Sequence, residues 1–166
     1  MSSGGRVWKF GDDINTDLII PGRYLENYDP AHLAAHAMEG VSKEFAKNVS
    51  RGDIIVAGKN FGCGSSREQA VIALKSAGVS AVVAKSFARI FYRNSINLGL
   101  PVLVSQDDCD EFMDGDPVTV DFQASALVSS TGRSCRLEPI PEHLQKILDR
   151  GGLVPYLKAR LGSNKV

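Results

Sequence analysis

Neither sign of charge dominates this sequence: 19 Lys and Arg residues face 19 Asp and Glu, with no run of like charge. Nucleic acid and anionic membrane surfaces are bound through a basic footprint, so neither is expected as a partner. Long apolar runs are missing as well. No stretch approaches the roughly 18 residues of a membrane span, and the opening "MSSGGRVWKFGDD" lacks the apolar core of a signal peptide. The expectation is a cytoplasmic protein. Cysteine is scarce. Cys63, Cys109 and Cys135 are an odd number without a CxxC pair, which suggests neither a disulfide framework nor a self-contained zinc or cluster site. Any metal chemistry would need ligands from elsewhere. Repeats, low-complexity tracts and linkers are absent too, so 166 residues with 43% apolar content are expected to form one domain over residues 1–166 around one core. The polar end "GSNKV" is expected to fray.

What is present is an alternation of elements. Arg6 to Phe10 reads as a strand, followed by turn formers in "GDDINTD" and the short apolar run Leu18 to Pro21 in a mostly looped opening. Asp29-Pro30 resembles an N-cap with proline at the first helical position, opening a helix with an apolar face at Leu33, Ala37 and Met38. A second helical turn is expected near Lys43 to Asn48. "GDIIVAG" then reads as a buried strand, "SSREQAVIALKSAG" as a helix, "VSAVVAKS" as a strand, "FARIFYRNSINLG" as a helix and Pro101 to Val104 as a strand. That succession implies right-handed crossovers and a mainly parallel central sheet. Beyond Gln106, "DDCDEFMDGD" suggests a short helix and turn. "PVTVDFQ", "SALVSS" and "SCRLEPI" suggest three strands, antiparallel additions to the sheet, and "PEHLQKILDRGGLVPYLKAR" a helical tail. The fold class is α/β.

The chemistry concentrates in "GKNFGCGSSREQA", residues 58–70, where a parallel strand hands over to a helix, the edge at which open α/β sheets hold ligands. A Walker loop needs lysine immediately before the hydroxyl residue, but Gly64 precedes Ser65; a dinucleotide loop wants a small residue where Arg67 stands. A serine elbow needs a glycine after the nucleophile that Ser65 and Ser66 lack. Two readings stay open. Ser65 and Glu68 fit the S-x-x-E capping box. Arg67, a cation in a first helical turn that the helix dipole disfavours, points to a bound anion, since helix-start amides, two hydroxyls and a guanidinium all donate to negative charge.

With "GDDINTDLIIPGRYL" before it and "VVAKSFARIFYRNSINLGLPVLV" after it, this loop resembles the small-subunit family of the isopropylmalate dehydratase group, the swivel domain of the aconitase superfamily. The similarity runs from about Val7 to Val104 and rests on three motifs in order. It implies a β/β/α swivel fold that closes over a large subunit, as a heterodimer or heterotetramer, with a [4Fe-4S] cluster held by the large subunit's cysteines and no cofactor held by this chain. The implied activity is a hydro-lyase that isomerises 2- and 3-isopropylmalate in leucine biosynthesis. Dimethylmalate and homoaconitate are alternative substrates, and an anion-binding regulatory module is the non-catalytic rival.

By the same resemblance Ser65 is the base that removes a proton from carbon, Ser66 orients Ser65 or bonds substrate, and Arg67 binds a substrate carboxylate. Asp17 sets hydrogen bonds around these groups; an Asx-turn is its competing role. Lys85 and Ser86, beside Phe87, Ala88, Arg89 and Asn94, are further substrate-side candidates. Relatives that take an extra carboxylate tend to carry arginine just after the Tyr-Leu pair, and those acting on isopropylmalate carry apolar residues. Here those positions are Glu26 and Asn27; Glu26 would repel a distal carboxylate and is no natural partner for an isopropyl group either. His32 and His36, spaced i, i+4, resemble a metal pair but have no third ligand nearby and read as a polar helix face. Cys63 reads as a small buried filler, with oxidant sensing or lining the site as the alternatives.

Overall fold

The computed structural model describes residues 2–162. Its parallel strands are β1 (Ser2–Lys9), β2 (Ile54–Ala57), β3 (Ala81–Ala84) and β4 (Val102–Val104). Three more, β5 (Pro117–Asp121), β6 (Ala126–Ser129) and β7 (Ser134–Arg136), are antiparallel. All seven join one sheet in the order β4-β3-β2-β1-β5-β6-β7. The sequence dictates this division. β2 and β3 are four-residue runs buried at every position, as parallel strands covered on both faces must be. β5 and β6 alternate buried with more exposed residues, as strands with one wet face do.

Alternation along the parallel strands feeds two cores. Ile55, Ala57, Val82, Ala84 and Val102 meet the helices through Leu33, Phe45, Leu74 and Phe91. Ile54, Val56, Ala81, Val83 and Leu103 point the other way, onto Val118, Val120, Leu127 and Leu137. The second core exists because the sheet curls until its edges meet. Ser105, just past β4, bridges Leu137, just past β7, and Glu138 N donates to Val104 O at 2.7 Å. Cys109 and Cys135 lie in that core and form a disulfide, which corrects the expectation of unpaired cysteines. Their 26-residue separation carries no local signal; the curl brings β7 under the 107–110 turn. That turn contains no helix among residues 106–116, contrary to expectation, because aspartates there cap the backbone: Asp108 Oδ1 accepts from Asp110 N at 3.0 Å.

The helices are α1 (Thr16–Ile19), α2 (Pro30–Ala35), α3 (Phe45–Asn48), α4 (Glu68–Ser76), α5 (Arg89–Asn97), α6 (Glu142–Asp149) and α7 (Leu153–Gly162). The run expected as loop at Leu18 is thus partly helical, because Asn15 Oδ1 caps Leu18 N at 2.8 Å. The tail is two helices, broken at Gly151-Gly152, both with positive φ. The last four residues of "GSNKV" lie outside the described residues.

One buried carboxylate pins β1 to β2. Asp53, 2% exposed, accepts from Arg6 N at 3.0 Å, Ser50 N at 2.9 Å and Trp8 Nε1 at 2.9 Å, with Arg6 Nη2 at 3.6 Å. Burial alone would raise its pKa; the Ser50 and Arg6 amides, the Trp8 indole and the Arg6 charge outweigh burial and hold the carboxyl below its ordinary range. A lowered folded-state pKa contributes stability above the unfolded value of about 3.9, and that stability is lost as pH falls through the folded value. Asp53→Ala is expected to cost about 3 kcal/mol in denaturant unfolding at neutral pH, since it orphans three donors. The gap from wild type should narrow below about pH 4. A gap that stays constant into acid would mean that the charge of Asp53 is not what holds those donors.

Candidate active site

The strand-to-loop ends of β1, β2 and β3 gather at one edge of the sheet. Backbone pairing locks the first two loops: Gly62 N donates to Ile14 O and Thr16 N to Cys63 O, both at 2.8 Å. The third is joined through Phe61 N to Ser86 O and Ala88 N to Phe61 O, both at 3.0 Å. Between them opens a cleft of about 320 Å³, lined by Thr16, Gly62, Gly64, Ser65, Ser66, Arg67 and the start of α5 from Ala88 to Phe91, with Asn94.

α4 begins at Glu68, with Arg67 as an extended N-cap residue. Ser65 and Ser66 therefore precede the helix, and the capping box expected of Ser65 and Glu68 does not form: no side chain caps α4. Both serines are exposed on the cleft. Among the described residues, neither their hydroxyls nor the backbone N–H groups of Ser65, Ser66 and Arg67 make a hydrogen bond. Three successive unengaged amides before a helix start, with two hydroxyls and a guanidinium, form a surface rich in donors and suited to an anion.

Arg67 is the anchored member. Its side chain is 19% exposed, and Nη1 donates to Asp17 Oδ1 at 3.3 Å and to Ile20 O at 3.2 Å. Asp17 Oδ1 also accepts from Gly22 N at 3.0 Å. Asp17 thus ties Gly22 to Arg67; its bond to Gly22 spans five residues and is not the Asx-turn considered for it.

Four other candidates lie apart from the cleft lining. Lys85 Nζ sits 3.7 Å from Asp108 and 3.4 Å from Asp110, which raise its pKa. Ser86 Oγ accepts from Asn60 N at 2.8 Å, tying loop to loop, and Ser86 borders a separate groove between α5 and α6. Glu26 and Asn27 are exposed, and Asn27 Oδ1 accepts from Asp29 N at 2.9 Å. Cys63 is half-buried rather than a core filler, since its carbonyl, not its thiol, is used in the loop pairing. His32 and His36 are both half-buried, and their rings pack against Tyr24, His36 stacked at 3.7 Å and His32 edge-on at 5.8 Å; His36 lies just past the end of α2. Arg89, Ile90 and Asn94 line the cleft, although sequence gave them no role of their own; their position at the start of a helix after a strand was the available signal.

No group of three His, Cys, Asp or Glu among the described residues could hold a metal ion, and two of the three cysteines are bonded to each other. These residues do not fit an iron–sulfur cluster, which needs several thiolates. No helix among the described residues is long and apolar enough to cross a membrane.

The Aconitase C-terminal domain family matches residues 11–107, which span the three loops that build the cleft. The chain belongs to the aconitase C-terminal domain family. Within that family, the methanogen homoaconitase small subunit of Methanothermobacter thermautotrophicus is 56% identical over 156 residues, 93% of this chain and 90% of that one. The 3-isopropylmalate dehydratase small subunit of Nautilia profundicola is 54% identical over 162 residues, 97% of each chain. The crystal structure of 3-isopropylmalate dehydratase from Methanocaldococcus jannaschii matches with a TM-score of 0.94 at 51% identity over 100% of both chains. The α/β architecture with a curled seven-stranded sheet is thus that of the aconitase C-terminal domain.

Proposed function

We propose that the chain acts, as one domain, as the small subunit of a 3-isopropylmalate dehydratase, a hydro-lyase active only with a large subunit. The observation that supports this reading is the donor-rich Ser65-Ser66-Arg67 loop on its cleft. The [4Fe-4S] cluster implied by the family is assigned to the large subunit, and no step derived for this chain passes through it.

In the proposed division of labour, Ser65 gives its hydroxyl proton to solvent and, as the alkoxide, accepts the proton leaving carbon, which restores the hydroxyl. A serine hydroxyl is far too weak an acid to ionise in water, so its alkoxide needs donors and a dry site. The unengaged amides of residues 65–67 and the neighbouring Arg67 supply the donors, and closure of the large subunit over the cleft supplies the dryness. Arg67, held by Asp17, presents its remaining guanidinium N–H groups to a substrate carboxylate. Ser66 orients Ser65 or bonds the substrate hydroxyl.

The homoaconitase name carried by one relative supports a second reading, in which the substrate brings an extra carboxylate. Glu26 argues against it by charge. The test is to reconstitute the chain with a large subunit and compare kcat/KM for isopropylmalate and homoaconitate. Wild type is expected to prefer isopropylmalate, and Glu26→Arg to shift the ratio toward homoaconitate by roughly tenfold. An unchanged ratio would mean that Glu26 still faces solvent in the closed complex and takes no part in selection.

A further inference from the structure

A polar cluster that the chemistry assigned so far does not use lies behind the segment from Tyr24 to Tyr28. At its centre is Glu39. Oε1 accepts from Arg23 Nη2 at 2.6 Å and from the Tyr24 hydroxyl at 2.7 Å, while Oε2 meets His36 Nδ1 at 2.6 Å. The Tyr24 hydroxyl foremost, then His36 and Arg23, hold the Glu39 carboxyl below its usual range against the opposing effect of burial. An ionised carboxylate only accepts, so His36 Nδ1 carries the proton of that bond. The Tyr24 ring is clamped on both sides, by the stacked His36 and by the Arg23 guanidinium 4.7 Å from its centroid.

A second anchor meets the next residue. Gln69, 9% exposed in the first turn of α4, donates from Nε2 to Leu25 O at 3.3 Å. Tyr24 and Leu25 are thus held from two directions, and Glu26 and Asn27 follow them without an anchor to the body of the domain among the described residues. α4 is also the helix that starts right after Arg67. The segment next to the selecting residues and the donor loop therefore share one support.

We propose that Glu39 is a positioning residue for substrate selection, fixing Tyr24 so that Glu26 and Asn27 are presented at a set distance from the Ser65-Arg67 loop, with Gln69 as its second anchor. This rests on the hydro-lyase reading. The hydrogen bonds and ion pairs of Glu39 all go to Arg23, Tyr24 and His36, none of which lines the cleft, so its removal shifts the segment and leaves the donor loop in place. Its loss acts on binding and discrimination, not on proton removal.

The test uses the chain reconstituted with its large subunit, comparing wild type, Glu39→Ala, Glu39→Gln, Tyr24→Phe and the Glu39→Ala/Tyr24→Phe double variant. Kinetics are measured on isopropylmalate and homoaconitate, and amide hydrogen exchange is followed across the chain. Glu39→Ala is expected to raise KM for the preferred substrate about tenfold and to narrow the discrimination ratio about tenfold, with kcat within about twofold. Glu39→Gln, which keeps an acceptor oxygen, should recover part of both. The double variant should be no worse than Glu39→Ala, since Tyr24 acts through the same carboxylate. Exchange should speed up at residues 24–28 and stay unchanged at 62–67. Unchanged protection of 24–28 overturns the proposal whether or not the enzyme turns over, as does a fall of kcat in step with the folded fraction. A wild-type pair inert on both substrates instead overturns the hydro-lyase reading, and the selective role with it.

Discussion

Ser65→Ala in the reconstituted pair is expected to lower kcat by about 10²- to 10⁴-fold, the range for loss of a positioned general base, with little effect on folding. The sequence alone would forecast a stability penalty as well, because Ser65 and Glu68 match a capping box, and losing a capping serine costs about 0.5 to 2 kcal/mol. The structure removes that penalty: α4 starts at Glu68 with no side-chain cap, and Ser65 is exposed without a hydrogen bond among the described residues. The stability change should therefore stay within about 0.5 kcal/mol, as for an exposed substitution. Parallel measurement of kcat, kcat/KM and denaturant midpoint separates the cases. Equal falls in kcat and kcat/KM with an unmoved midpoint place Ser65 in the transition state. Full activity with a lowered midpoint would make Ser65 a structural residue and remove the base from the mechanism.

That contrast shows where sequence was sufficient. The strands β2 and β3 were legible because four consecutive apolar residues bounded by glycine or a polar residue leave few alternatives to a buried strand. The donor loop was legible because glycines, serines and an arginine at a strand-to-helix junction have few common explanations. The start of α4 was not, since S-x-x-E is compatible with a cap whether or not the chain turns there, and the loop-to-loop pairing of Ile14 and Thr16 with Gly62 and Cys63 decides it from 47 or 48 residues away. The disulfide was hidden for the same reason: only the curl of the sheet unites Cys109 with Cys135. Glu39 was missed because its partners Arg23, Tyr24 and His36 include two from a separate turn, and a single glutamate three residues after a histidine is unremarkable in any helix-like stretch. Local pattern reported elements; long-range pairing decided what their side chains do.

The two glycines of the donor loop should respond differently to a methyl group, and the difference tests the loop geometry directly. Gly62 and Gly64 both have positive φ, +81° and +94°, so alanine at either is strained by about 1 kcal/mol or more. Beyond that they diverge. A Cβ on Gly64 would lie 3.4 Å from Thr16 Oγ1, an ordinary contact. A Cβ on Gly62 would overlap the Phe91 side chain, on the ring and its Cβ alike, and Phe91 cannot easily retreat: it is 3% exposed, edge-on to Phe61 at 5.3 Å and stacked on Phe87 at 6.3 Å. Overpacking of that kind costs roughly 1 to 3 kcal/mol. Gly62→Ala is therefore expected to destabilise the chain by about 3 kcal/mol and Gly64→Ala by about 1 kcal/mol, read as denaturant midpoints at constant slope. Function should follow the same order. If Gly62→Ala relieves the overlap by moving the 62–67 loop away from α5, Ser65 is displaced from its reacting position, and a shift near 1 Å can cost about a hundredfold in rate. Gly64→Ala, which can keep its backbone, should retain activity much closer to wild type. Equal losses of stability for the two variants would show that the ring cluster of Phe61, Phe87 and Phe91 does not press on Gly62, and that the position of the Ser65-Arg67 loop is set by its hydrogen bonds to Ile14 and Thr16 alone.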